Sequence, residues 1–264
     1  MCRMLVAIGS FGAQELRSMV RALRDAAARD PYGEALYGER SHGDGWGILT
    51  ARLDGSAVLH HRSIHPIYSP DSDPEAAIPG WAAGVPAILM AHARAASEGT
   101  PVDIASTHPV HASSGWGDLY VVHNGSFDRG ELDRAIGEAA PHSDTWAASV
   151  ALASRIRGRV SRGDLEWLLG AELTGANLGI ALLGSAAGLQ VIVGSHYRLR
   201  GDASDPDVER YYRLYQCASD GGVVYASSTV AEFHLGTSGC RMLANGEFHS
   251  RAGIGAGEPE RWAL

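Results

Sequence analysis

The chain has 264 residues, 45% of them hydrophobic and 20% charged, with a formal net charge of −8. That balance fits a folded chain with a sizeable core, a single domain over 1–264, and argues against disorder. The acidic charge removes the broad attraction to phosphate backbones and anionic lipid that basic proteins use; all 22 basic residues are Arg, which excludes a lysine nucleophile, a Schiff base and a Walker-type phosphate loop.

Residues 3–9 predict a short buried strand closed by Gly9 and Ser10. Over 14–29, Leu16, Met19, Val20, Leu23 and Ala27 recur at the spacing of an amphipathic helix, and Asp30-Pro31 stops it. Short strands are expected at 46–51, 56–61 and 86–92. Between them, 63–82 is a Pro-, Asp- and Ala-rich loop with room for a helical turn. Strands at 110–113 and 118–123 precede helices at 128–137, 144–157 and 162–169. Ser161 and Asp164 form a capping-box pattern at the start of the last helix. From 178 onward the chain is β-rich, with strand-like runs at 178–184, 189–194, 211–219 and 222–228. The closing residues 253–264, including a GxGxG run at 253–257, read as a surface tail. Strands, then helices, then strands again fit a layered α+β domain, sheet packed on sheet with helices outside.

No apolar run reaches the roughly 18 residues of a membrane-spanning helix, and the N-terminus lacks the apolar stretch of a signal peptide. Cys2, Cys217 and Cys240 are odd in number and widely spaced, with no CxxC. This argues against a disulfide framework or a thiolate zinc site and for a reducing, cytoplasmic setting.

Cys2 is the most informative residue. Methionine removal is expected before a small second residue, and it would leave a thiol and a free α-amine on one residue. An amine with a reference pKa of about 8 beside a thiol of about 8.5 is a nucleophile with a built-in base. A retained Met1 would turn that amine into an amide and remove the base. The competing reading is an incidental Cys buried at the first strand. Asn124-Gly125 ends a β run. It is either a hairpin turn or an oxyanion hole made of a side-chain amide and a backbone N–H. Arg94, at the end of the apolar run before it, is either a surface residue or a fork for a carboxylate. Asp144 is either a helix cap or the acceptor for a substrate ammonium. Ser41 to Ile48 carries three alternate glycines and reads as a turn entering a strand beside the nucleophile. His60, His61 and His65 cluster, as do His108 and His111, but neither set joins a metal-ligand pattern such as HExxH, so no metal is called.

Taken in order, Met1-Cys2-Arg3, the HGDGWGI at 42–48, the HAR at 92–94, Thr107-His108-Pro109, the HNG at 123–125 and the SDT at 143–145 resemble the class-II glutamine amidotransferases. These are N-terminal-nucleophile hydrolases, and the small stand-alone members are closest in length. The resemblance covers roughly residues 1–150. It implies a four-layer αββα sandwich and hydrolysis of the glutamine side-chain amide through a glutamyl thioester on Cys2. Asn124 and Gly125 would hold the oxyanion, Arg94 the α-carboxylate and Asp144 the α-ammonium, with His108 as a further substrate contact and no cofactor. The large synthases commonly carry Trp directly after the Arg, where this chain has Ala95. No synthetase domain follows, so the ammonia acceptor is not visible. Another γ-glutamyl amide as substrate, or an ammonia-delivering or binding subunit of a separate synthase, remain open, as does a homo-oligomer. No nucleic-acid or membrane partner is expected.

Overall fold

Two antiparallel sheets stack face to face in a computed structural model, which describes residues 2–38, 40–139, 141–184, 188–198, 205–253 and 258–264. In chain order the elements are β1 (Arg3–Gly9), α1 (Ala13–Ala28), α2 (Pro31–Tyr37), β2 (Trp46–Arg52), β3 (Val58–Ser63), β4 (Ala87–Ala93), β5 (Val110–Ser114) and β6 (Gly117–Phe127). Three helices follow, α3 (Arg129–Ile136), α4 (Asp144–Arg155) and α5 (Arg162–Gly170), then β7 (Glu172–Gly184) and β8 (Gly188–Ser195). The remainder includes α6 (Pro206–Tyr212), β9 (Leu214–Ser219), β10 (Gly222–Ser227), a helical stretch over 228–235, β11 (Cys240–Met242), β12 (Glu247–Ala252) and β13 (Glu260–Ala263). The first sheet runs β11-β9-β10-β1-β4-β2-β3 and the second β13-β12-β8-β7-β6-β5.

Strand alternation explains the layering. In β1, Leu5 and Ala7 face one way, into a core shared with Leu16, Met19, Val20 and Leu23 of α1. Met4, Val6 and Ile8 face the other way and meet Tyr120, Val122, Ala181 and Val191 of the second sheet. In β6, Leu119 and Val121 turn outward to Ala148, Leu152 and Leu165 of α4 and α5. A strand buried on both faces has no polar side to alternate, so these segments read as continuous apolar runs. The order helix, sheet, sheet, helix is the four-layer αββα sandwich expected from the sequence.

Most sequence-predicted elements stand within a few residues of their places. The capping box forms as expected: Ser161 Oγ accepts the Asp164 N–H, and Asp164 accepts the Ser161 N–H. Asp30-Pro31 does end α1, but it also starts α2, because the Asp30 carboxylate accepts the Tyr32 N–H with Pro31 in the first turn. The strand expected at 56–61 lies two residues later, at Val58–Ser63.

Three readings need correction, and one of two alternatives falls. Tyr211 and Tyr212 belong to α6, capped by Asp205, and only Leu214 onward is strand. The aromatic run is strand-like in propensity, yet the Asp205 carboxylate caps the Asp207 and Val208 N–H groups with Pro206 in the first turn, which starts a helix. The segment 253–264 is not all tail: β13 pairs with β12, and its Trp262 is buried in the outer core. Most of the GxGxG run lies outside the described residues. Asn124-Gly125 is no hairpin turn, since β6 continues through both and pairs Asn124 with Asn177. Finally, Cys217 and Cys240 are disulfide-bonded. β9 and β11 bring them opposite each other across 23 residues of chain, a proximity that spacing alone does not reveal. The bond removes the argument for a reducing compartment that rested on unpaired cysteines. Among the described residues, no helix is long and apolar enough to cross a membrane.

Candidate active site

Cys2 stands immediately before β1, the strand between β10 and β4 in the middle of the first sheet. It is buried, and its thiol lies 3.8 Å from the Ala95 carbonyl oxygen, just past the end of β4. Burial pushes the Cys2 thiol above its ordinary pKa. The Ala95 contact and the Arg94 charge act in the opposite direction, and Asp144 adds to the rise.

The Cys2 N–H donates to Asn124 Oδ1 at 3.1 Å, tying the end of one sheet to β6 of the other. That bond fixes which way the amide points. Nδ2 of Asn124 must be the other end, and it is buried with no hydrogen-bond partner. Gly125 follows at φ +149°, and a Cβ there would sit 1.6 Å from the Gly175 carbonyl oxygen. Only glycine can occupy this position, where the β6–β7 register shifts between Gly125 and Phe127.

A cleft of about 260 Å³ opens over the thiol and is lined by Cys2, Arg94, His108, Gly125 and Asp144, among others. Five of the six sequence-predicted site residues therefore share one cavity. Asn124 stands behind the lining, against the Cys2 nitrogen. Arg94 is buried rather than on the surface, with Nη1 unpartnered. The glycine-rich turn holds its backbone in place: Asp44 N–H donates to the Arg94 carbonyl, Arg94 N–H to the Gly45 carbonyl, and Ala96 N–H to the Asp44 carboxylate. Gly47 serves the same region, since a Cβ would lie 2.4 Å from the His108 carbonyl oxygen.

Asp144 is the first residue of α4, while the cap itself is Ser143, whose hydroxyl accepts the Trp146 N–H. The Asp144 carboxylate accepts the Phe127 and Thr145 N–H groups, each at 2.8 Å. It lines the same cleft as Arg94, with acceptor capacity left over.

Four buried histidines fall in the quoted motifs, and the structure separates them. His42 pairs with Asp30 at 2.7 Å, away from the cleft lining. His123 lines the cleft, bonded to Thr145 Oγ1 and the Gly175 carbonyl. His92 Nε2 donates to the His123 carbonyl at 3.0 Å, which leaves its Nδ1 an acceptor. That Nδ1 lies 3.2 Å from His108 Nδ1, which must donate. The neutral His108 then carries a bare lone pair on Nε2, a buried atom with no partner. Burial holds both rings well below the usual histidine pKa, and the neighbouring His92 lowers His108 further.

Sequence reasoning missed two supporting residues. The Tyr211 hydroxyl lies 3.4 Å from both the Cys2 carbonyl oxygen and Asn124 Oδ1. The Arg3 guanidinium stacks 4.0 Å over the Tyr211 ring and pairs with buried Asp30 at 2.6 Å. Arg3 was visible in the opening motif, but Tyr211 sits more than 200 residues away and carries no local signal.

No family model matches the chain, and no curated protein matches it. Among solved structures, it is similar to the glutamine phosphoribosylpyrophosphate (PRPP) amidotransferase from B. subtilis complexed with ADP and GMP. The TM-score is 0.57 at 13% identity, covering 98% of this chain and 50% of that one. This chain thus spans half the length of that protein. A predicted glutamine amidotransferase from Pseudomonas aeruginosa PA01 matches with a TM-score of 0.45 at 15% identity, over 96% of this chain and 94% of that one. The first likeness is one of fold: two antiparallel sheets stacked between helices.

Proposed function

We propose that this cleft hydrolyses the side-chain amide of glutamine, or of a γ-glutamyl conjugate, with Cys2 as nucleophile. The observation that carries the reading is the state of Asn124. Its carbonyl end is consumed by the Cys2 nitrogen, so a buried amide donor without a partner is left on a side chain held against the Cys2 backbone. An unpaired buried donor costs roughly 1–3 kcal/mol, a cost that an oxyanion forming on the Cys2 adduct would offset.

The chemistry follows from these residues. With Met1 removed, the α-amine of Cys2 takes the thiol proton and the sulfur attacks the amide carbonyl carbon. The oxygen becomes an anion held by Asn124 Nδ2 and the Gly125 N–H. The protonated amine returns its proton to the leaving nitrogen, ammonia departs, and a thioester remains. Water then attacks the thioester, the amine takes its proton, and collapse of the second tetrahedral species releases the carboxylate and the thiol. Arg94 Nη1 pairs with the α-carboxylate and Asp144 with the α-ammonium, while His108 Nε2 accepts a substrate N–H. An Arg and an Asp lining one cavity select the zwitterionic end of an amino acid over a simple amide.

Intact mass before and after an electrophilic diazoketone analogue of glutamine tests this. Loss of Met1 and one adduct on Cys2 are expected. Processed chain with no adduct on Cys2 refutes glutamine as the ligand. Turnover of a γ-glutamyl conjugate would then identify the larger amide, whereas turnover only with an added synthase would identify an ammonia-delivering subunit.

A further inference from the structure

The geometry points to a thiophilic metal site, suited to Zn²⁺, formed by Cys2, His92 and His108 at the floor of the cleft. The Cys2 sulfur and one ring nitrogen from each histidine lie within 4.8 Å of one another, all three residues buried. They come from three separate segments, so no short-spaced ligand pattern announces them in the sequence.

Three features make this a built site. First, His92 can offer only Nδ1, because its Nε2–H is bonded to the His123 carbonyl. A ligating histidine whose other ring N–H is fixed on a backbone carbonyl is the usual outer arrangement of a metal site. Second, the two Nδ1 atoms are 3.2 Å apart, close to the roughly 3.3 Å between two nitrogens on one tetrahedral Zn²⁺ with bonds of about 2.0–2.1 Å. The proton between them has somewhere to go, since His108 Nε2 is unpartnered. Shifting it from Nδ1 to Nε2 frees the second lone pair without creating charge. Third, Cys2 and His108 line the cleft, which gives the ion an entry path. The Cys2 sulfur, within 4.8 Å of both ring nitrogens, would sit about 2.3 Å from the ion when bound.

Binding replaces the Cys2 S–H bond with an S–metal bond and releases that proton to solvent. Water from the cleft fills the fourth position. Sulfur with two imidazoles suits Zn²⁺ rather than Mg²⁺ or Ca²⁺. Because the ligand is the proposed nucleophile, a bound ion would silence hydrolysis. That consequence rests on the proposed function; the binding does not.

The test is titration of the intact chain with Zn²⁺ and, separately, with Co²⁺ as a spectroscopic probe. Cys2 is the one free cysteine, so a thiolate-to-cobalt absorption band reports it. The expected result is one ion per chain, a band that vanishes in Cys2→Ser, and affinity lowered by more than tenfold in His108→Gln. Loss of an outer hydrogen bond alone costs about 10–100-fold, so loss of a ligand should cost no less. Circular dichroism checks that His108→Gln folds; Cys2→Ser, nearly isosteric, carries the test if it does not. Absence of the band in the parent chain overturns the inference. So does an affinity indifferent to both substitutions, which would place the ion on exposed histidines. A chain that binds Zn²⁺ but never turns over a γ-glutamyl amide refutes the proposed function alone. One that hydrolyses it unaffected by Zn²⁺, with no cobalt band, refutes the metal site alone.

Discussion

Replacing Asn124 by Ala removes two things at once: the acceptor for the Cys2 N–H at 3.1 Å and the unpartnered Nδ2 donor. The donor matters only when negative charge develops, so its loss should lower kcat and leave KM nearly unchanged. One oxyanion donor is worth about 2.7–4 kcal/mol, or roughly 10²–10³ in kcat. The acceptor is a neutral hydrogen bond worth about 0.5–1.5 kcal/mol, which bears on positioning and stability rather than on the transition state. Asn124→Asp separates the two. It keeps an oxygen for the Cys2 nitrogen but puts an acceptor where the donor was, so activity should fall at least as far as in the Ala variant. Glutamate release under steady-state conditions, with circular dichroism to confirm folding, reads both variants. If Asn124→Asp keeps activity within about tenfold of the parent, Asn124 only orients Cys2 and the oxyanion assignment is wrong. A raised KM with unchanged kcat in Asn124→Ala would refute it as well.

Arg94→Gln should raise KM for glutamine by about 10- to 150-fold, the equivalent of one charge-assisted hydrogen bond of roughly 1.5–3 kcal/mol; an unchanged KM in the same assay would remove Arg94 from substrate recognition. Thermal stability should fall as pH drops below about 6.5, because burial holds His42, His92, His108 and His123 below the usual range and His60 at about 4. Groups with depressed folded pKa values stabilise above their unfolded pKa and lose that contribution as pH falls through the folded value; a melting temperature flat from pH 7.5 to 5 would contradict this. Asp30→Asn should destabilise the chain by about 3–5 kcal/mol, the cost of leaving a buried Arg unpaired, since Asp30 takes Arg3, His42 and Thr229 on one carboxylate; denaturant melts that overlay the parent's would show the network contributes nothing. Reducing the Cys217–Cys240 bond should lower stability by roughly 3 kcal/mol on the chain-entropy scale for a loop of this length, seen as a lower melting temperature with reductant in the parent and no shift in Cys217→Ser.

The sequence reaches the site further than it reaches the rest of the fold. Cys2 and His108 lie just before strands, Arg94 just after one, and Asp144 opens a helix, so local boundary signals mark most of the site. Asn124-Gly125 shows how little such a signal decides: the same dipeptide fits a hairpin turn, and only the β6–β7 register, set by residues some 50 positions later, excludes it. Tyr211 and the Cys217–Cys240 pair were out of reach for a similar reason. Their partners lie far away in sequence or on a neighbouring strand, and neither aromatic content nor cysteine spacing encodes that pairing. The late strands β11 to β13 are short and partly polar, so periodicity alone does not find them.

The cleft also shows why its residues cannot be read as packing. Arg94 Nη1, His108 Nε2 and Asn124 Nδ2 are each buried without a partner, and each such group costs roughly 1–3 kcal/mol. The same fold satisfies comparable groups elsewhere: Gln190 donates to Val160 and Ser250, and Asn177 bonds to Tyr212 and Ser195. Unpartnered buried atoms occur away from the cleft as well, Trp46 Nε1 and Thr50 Oγ1 among them; what sets these three apart is that Arg94 and His108 line the Cys2 cleft and Asn124 bonds the Cys2 nitrogen. An acceptor for Arg94 and Asn124 together with a donor for His108 describes an amino-acid carboxylate, an oxyanion and an N–H. On the proposed function, those are the parts of a γ-glutamyl amide caught between substrate and product.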